Sequence, residues 1–513
     1  MKLSYPTPQI IVHRSIIFLI KRNEFYKKVY LCNFKHLNIH TEKPLVYKHL
    51  QYLMKAIQDN NWLYNILSPL VQFGTRCHYH SFVVRGVENL PSDGAYIIAP
   101  CHQQALMEPL AVLCFAPKPP VFLARADIFE NKTIRAILTF LKILPVYRIR
   151  DGQNNLKKNN EIFDKSRDVL LDGFPLCLMA EGRHNDRHHL LPMGKGMFRI
   201  AGETQQRLGT HPLYIVPTGI DFDDYERPYS NLVVNIGQPI AVQPFMEDYT
   251  NNEPVALNEM REALSTALHR QMHDIRNEEH YDEVLMMSEI ATPPLLRRQS
   301  LRNNAWNRFQ ARCRLSQALD ALQPSQLETL TQPARQLADQ CSALRLKPRR
   351  VATHWSLPAT LGAALLLAAL AVAAVTVPVV RWILLFCLLC YPIPFLPTHL
   401  LMRRLIGDPQ FRSSVNFGVR FLFSFLYGLV IGIVMACCGG AWMSRLADLG
   451  AWWGLIAVAL VHLEAWLSAN VINSLKATAR NLRYWWLRLT HRRQMKTLHD
   501  NLSALQRQVT ELV

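Results

Sequence analysis

Acid is scarce in this 513-residue chain: 39 Asp and Glu stand against 57 Lys and Arg, giving a formal charge of +18 and a pI near 9.5. Such a surface is ill matched to a basic partner and suits an anionic one, either nucleic acid or a membrane surface. Paired cysteine spacing is also missing. The eleven cysteines are scattered, with Cys387, Cys390, Cys437 and Cys438 inside apolar runs, which excludes a cysteine-built zinc site. They read as packing residues of a reduced, cytosol-facing protein. No Gly-x-Ser-x-Gly elbow occurs, so the familiar serine-nucleophile arrangement is excluded. Internal repeats are absent, which excludes a solenoid. The apolar piece from Ile10 to Ile20 is broken by His13 and Arg14, is too short to cross a bilayer, and lacks a small-residue cleavage site.

Long apolar runs are confined to the last third. Pro358 to Val380, Trp382 to Leu401, Phe421 to Trp442 and Trp452 to Ile472 each approach the roughly 20 residues that cross a bilayer. These runs favour a membrane over nucleic acid and predict four transmembrane helices over 351–475. Lys347, Arg349 and Arg350 precede the first run, Arg403, Arg404 and Arg412 lie between the second and third, and Lys476, Arg480 and Arg483 follow the fourth. By the positive-inside rule both ends face the cytosol, as in a multi-pass protein of the inner (cytoplasmic) membrane. His462 and Glu464 lie within the fourth run, where pairing with a neighbouring helix is the plainer reading.

The chemistry-bearing residues sit upstream, at the ends of apolar runs. Ala95 to Ala99 reads as a buried strand, and Ala105 to Cys114 reads as a helix start. Between them lies His102, with Glu108 a turn into the helix, a base with an orienting acid. Downstream, Ile143 to Val146 ends in Tyr147, Arg148, Ile149 and Arg150, placing two arginines on one face. Leu176 to Ala180 runs as an apolar strand into Glu181, Gly182, Arg183 and His184; Lys195 and Gly196 open a helix; and Tyr214 to Gly219 reads as another strand, with Pro217 towards its end. Four polar clusters at strand ends mark the ligand edge of an open α/β domain.

This ordered set of blocks resembles the glycerolphosphate and lysophosphatidic acid acyltransferase family, in a membrane-bound bacterial branch. The resemblance covers about residues 60–245 and rests on His102 with Glu108, Arg148, Glu181-Gly182 and Val216-Pro217. Two departures stand out. Glu108 is a glutamate lying one position beyond the family's aspartate, and one helical residue turns a side chain by about 100° and advances it by about 1.5 Å. Arg183 stands one position early, so Arg183, His184 and Arg187 are alternative phosphate contacts.

The resemblance implies direct acyl transfer. His102 would take the acceptor hydroxyl's proton as the hydroxyl attacks a thioester, and Glu108 would fix the imidazole tautomer. Arg148 and Arg183, helped by Arg150 and Lys195, would bind phosphate through bidentate forks. Glu181 and Gly182 would bind a glycerol hydroxyl or brace the arginines. The expected acceptor is lysophosphatidic acid, with glycerol-3-phosphate and an amino-acid lysolipid as alternatives. Acyl-CoA or acyl carrier protein would be the donor and co-substrate, with no metal and no other cofactor. A catalytically degenerate lipid-binding membrane protein is the rival.

The remaining segments complete the organisation. Residues 1–53, rich in Lys, Tyr, Ile and Asn, read as a poorly ordered basic extension, with Met54 as the expected start of the chain proper. An acyltransferase domain, an α/β fold with a mixed sheet covered by helices, is expected over 54–245 behind an amphipathic, interfacial N-terminal helix. A helical linker over 246–350 and a basic cytoplasmic tail helix over 476–513 are expected around the spans. His280 and Asp282 lie among further acids and read as a solvated charged face rather than a metal site.

Overall fold

The computed structural model describes residues 56–147, 153–183, 185, 187–225, 229–378, 412–423, 426 and 451–513. Its strands are β1 (Ser81–Arg85), β2 (Ala95–Pro100), β3 (Val121–Arg125), β4 (Ile143–Val146), β5 (Leu176–Cys177), β6 (Leu213–Phe222), β7 (Asn231–Ile236) and β8 (Ile240–Ala241). The run that sequence marks as a buried strand is β2, and all six of its residues are buried because sheet neighbours and helices cover both faces. The sheet order is β1-β7-β6-β2-β5-β3-β4, with β8 beside β6. β2 runs parallel to β5 and β6, whereas β6 is antiparallel to β7 and β8. This is the mixed, helix-covered sheet expected. Register sets the site: Pro100 pairs with Thr218 and Ile98 with Cys177, so the segments after β2 and β5 leave the same edge, beside the second half of β6.

Helices in the sheet region are α1 (Trp62–His78), α2 (Met107–Leu113), α3 (Lys132–Phe140), α4 (Gln153–Leu171) and α5 (Gly196–Leu208). Within the described part of the amphipathic segment the helix begins at Trp62, because the Asn61 side chain accepts the N–H groups of Leu63 and Tyr64 and caps the helix there. Residues 1–53, read as an extension, and Met54 itself lie outside the described residues.

The segment expected as a helical linker folds as α6 (Met246–Asn251), α7 (Glu253–Gln271), α8 (Tyr281–Arg298), α9 (Ala305–Asp320), α10 (Pro324–Ala343) and α11 (Pro348–Ala352). Beyond it lie α12 (Leu357–Thr376), α13 (Ala451–Thr490) and α14 (Arg492–Thr510). A second hydrophobic core forms here from Leu295, Leu315, Leu337, Leu498, Leu502 and Leu505, all nearly inaccessible. The expected tail helix therefore differs in detail: residues up to Thr490 continue α13, and α14 buries an apolar face in this core. Its leucines recur at helical spacing, which gives that stripe a partner to pack against. The arm touches the sheet closely. A Cβ at Gly219 of β6 would overlap the carbonyl of Gln271, so only glycine admits that approach.

Among the described residues, no helix is long and apolar enough to cross a membrane. The second expected span and most of the third lie outside those residues, as do 379–380 at the end of the first. The first corresponds to α12, which carries no charged residue and exposes Leu365, Leu366 and Val375 at more than 70 % each. The fourth lies within α13.

Candidate active site

His102 stands in the turn between β2 and α2, and its backbone is held before its side chain is considered. Cys101 N–H donates to the Thr218 carbonyl at 3.1 Å, and His102 N–H donates to Glu181 Oε1 at 2.7 Å. The Cys101 thiol is packed against Ile220, and burial pushes it well above the usual thiol range, so it anchors the turn rather than acting as a nucleophile.

Glu108, the second residue of α2, is completely buried. Its Oε1 accepts Gln103 N–H at 2.8 Å and also Gln104 N–H, reaching back over the turn as first-turn carboxylates do. Its Oε2 lies 3.6 Å from His102 Nδ1, near enough for charge interaction and longer than a hydrogen bond. The structure thus brings Glu108 to His102 despite the added residue in the spacing. A carboxylate facing Nδ1 favours the tautomer with the proton on that nitrogen and leaves Nε2 as the basic one.

Glu181 follows β5, and Gly182 behind it adopts φ 64°, the left-handed conformation that glycine tolerates. Both Glu181 oxygens accept backbone N–H groups, from His102 at 2.7 Å and Leu191 at 2.8 Å. In the described fold its carboxyl thus ties the His102 turn to the loop at Leu191. Burial pushes its carboxyl up to about 8, aided by nearby Glu108 and Asp274 and opposed by the two backbone donors.

The candidate phosphate ligands are less gathered. Arg183 is exposed beside Gly182, and Lys195 is exposed at the start of α5. Arg187 lies over the Tyr281 ring at 4.9 Å. Arg148, Arg150 and His184 lie outside the described residues. Tyr147, just before Arg148, is pinned by Asn159, whose side chain bonds both its N–H and its carbonyl.

Behind the His102 turn is a polar cluster that sequence reasoning missed. Arg312 of α9, nearly inaccessible, donates to Asp221 Oδ2 at 2.7 Å and lies 2.9 Å from Asp223 Oδ1. His188 Nδ1 lies 3.3 Å from Asp221 Oδ1, and the Tyr225 hydroxyl contacts that nitrogen and Gln103 Oε1, each at 3.0 Å. His273 Nε2 meets the Ser316 hydroxyl at 2.8 Å. Burial opposes ionisation of Asp221, yet Arg312 and the histidines outweigh it and hold the carboxyl well below its usual range. Burial, reinforced by His188, keeps His273 neutral. His188, Asp221 and His273 could offer a metal ion three ligand atoms, but Arg312 already supplies a cation to that carboxylate. A sequence signal did exist: Asp221 and Asp223 alternate at the end of an apolar strand and so share a face. Their partner, Arg312, is some ninety residues away in a segment read as linker.

Residues 81–221 match the family model described as Acyltransferase. Among solved structures, the crystal structure of the 1-acyl-sn-glycerophosphate (LPA) acyltransferase PlsC from Thermotoga maritima matches at 17% identity, over 47% of this chain and 88% of that chain, with a TM-score of 0.28. No curated protein sequence matches the chain.

Proposed function

We propose that the acyltransferase domain at residues 81–221 moves a fatty acyl group from a thioester donor to a hydroxyl of lysophosphatidic acid, giving a diacylated phospholipid precursor. The observation that carries this reading is the buried Glu108 carboxylate facing His102 Nδ1 at the edge of the sheet where open α/β domains bind ligands. The acceptor oxygen attacks the thioester carbonyl carbon while its proton passes to His102 Nε2. The C–S bond then breaks, and the departing sulfur takes the proton back from the imidazolium. Glu108 stabilises that imidazolium between the two transfers. Arg148, Arg183 and Lys195 bind the acceptor's phosphate, because a planar fork or ammonium group suits a phosphate dianion. Acyl-CoA or acyl carrier protein serves as donor.

The same reading places the chain in the cytoplasmic membrane, with the sheet domain facing the cytosol. Its support is α12, uncharged and exposing leucine and valine, together with the basic flanks of the apolar runs. Trp355, just before α12, donates its N–H to Asn481 Oδ1 at 2.7 Å and accepts Trp485 Nε1–H at 3.1 Å. These contacts join the two flanks of the apolar region, which supports a cytosolic face for both.

Purified protein, a labelled acyl thioester and a panel of lysophosphatidic acid, glycerol-3-phosphate and an amino-acid lysolipid test the function. Turnover of lysophosphatidic acid that disappears in His102→Ala supports it. Binding without turnover in the parent protein contradicts it.

A further inference from the structure

Two lines of contact run from the helical arm into the turn that carries His102. The first passes through the loop at 188–191. Tyr281 accepts His188 N–H through its hydroxyl at 2.8 Å, Ile275 N–H donates to the His188 carbonyl at 2.7 Å, and Asp274 Oδ1 accepts Leu190 N–H at 3.1 Å. The next amide, that of Leu191, holds Glu181, which in turn holds His102 N–H.

The second line begins at Arg312, which bridges Asp221 and Asp223. It continues through His188 and the Tyr225 hydroxyl to Gln103, whose N–H donates to Glu108 Oε1. One proton arrangement satisfies this line. The amide oxygen of Gln103 can only accept, so the Tyr225 O–H points to it. The Tyr225 oxygen then faces an N–H at His188 Nδ1, and that N–H also faces the Asp221 carboxylate.

We propose that Arg312 is a positioning residue for acyl transfer, acting through Asp221, His188 and Tyr225 to set the turn at residues 101–104 and with it the aim of His102. The proposal rests on the acyl-transfer reading for its rate effect alone; the coupling of arm to turn is a matter of structure. Two chemical facts favour Arg312 in this place. It is buried, so removing it leaves Asp221 uncompensated in the interior, which the fold relieves by local rearrangement next to His188. It also meets two carboxylates with separate nitrogens of one rigid fork, a geometry that a lysine ammonium does not reproduce.

The test uses the full-length chain in detergent, with Arg312→Lys and Tyr225→Phe as paired variants, since Arg312→Ala risks unfolding the arm. Tyr225→Phe removes one hydroxyl and keeps the ring. Both variants are expected to lower kcat by about 10- to 100-fold, the scale of a slight misplacement of reacting groups, with KM for acceptor and donor unchanged. Hydrogen exchange should quicken at the amides of Gln103 and Gln104 in both variants while α9 stays protected. Unchanged exchange at those amides together with unchanged kcat would overturn the proposal. So would a loss of kcat accompanied by general loss of protection through α9, because that pattern reports unfolding rather than aim. If the parent protein transfers no acyl group, the acyl-transfer reading fails, and exchange at Gln103 and Gln104 alone decides the coupling.

Discussion

Glu108 closes the turn with one oxygen and faces the imidazole with the other. Glutamine in its place keeps the shape and removes the charge, so Glu108→Gln should lower kcat by about 10²-fold or more, read from the same transfer assay. Aspartate is one methylene shorter and cannot reach both the Gln103 amide and the imidazole from this helix position. Glu108→Asp should therefore lose activity as well, with hydrogen exchange quickening at the turn. Glu181 makes a prediction about pH. Its carboxyl, pushed up to about 8 by burial, costs the fold nothing while protonated below its ordinary value near 4.5. The cost grows as pH rises and is complete above about 8. Stability should fall over that window, and Glu181→Gln should flatten the fall. A thermal-melt series from pH 5 to 9 on both proteins checks this, and equal slopes would refute it.

At the scale of elements, the arm is held by shape as much as by charge. Gly219→Ala would drive a Cβ into the Gln271 carbonyl, so α7 must shift or β6 must bend. A drop in melting temperature with preserved secondary structure is the expected outcome, read by circular dichroism. Leu498 of α14 is fully buried in the second core, and Leu498→Ala should cost roughly 2–5 kcal/mol in a denaturant titration. The strands around the site were legible in the sequence because their apolar runs are short and end in polar blocks: the runs Ala95 to Ala99 and Ile143 to Val146 are strands, whereas of Leu176 to Ala180 only Leu176 and Cys177 pair in the sheet. The helix start at Asn61 and the arm's docking were not. Asn61 looks like any polar residue until its cap bonds are seen, and the Arg312–Asp221 pair joins segments with no shared periodicity. His102 and Glu108 were legible as a pair, while the second task of Glu108, holding two amides, depends on a turn geometry that spacing alone does not encode.

For the whole molecule, Trp355 ahead of α12 meets Asn481 and Trp485 in the second half of α13, so the two flanks of the apolar stretch lie together. In the membrane arrangement proposed above, flanks that lie together require an even number of crossings. Thiol labelling with a membrane-impermeant reagent on Arg345→Cys and Glu511→Cys, both at exposed positions, should modify the two sites from the same face of sealed vesicles; modification from opposite faces would refute the arrangement. At the same scale stands the proposed role of His102 as the base at the sheet edge. Its most direct measurement is product formation from lysophosphatidic acid and labelled acyl thioester by the parent protein and by His102→Ala. Phosphatidic acid is expected from the parent, with a loss of about 10²- to 10⁴-fold in the variant, the usual worth of a positioned general base. Equal turnover by the two proteins, or none by either, would contradict it.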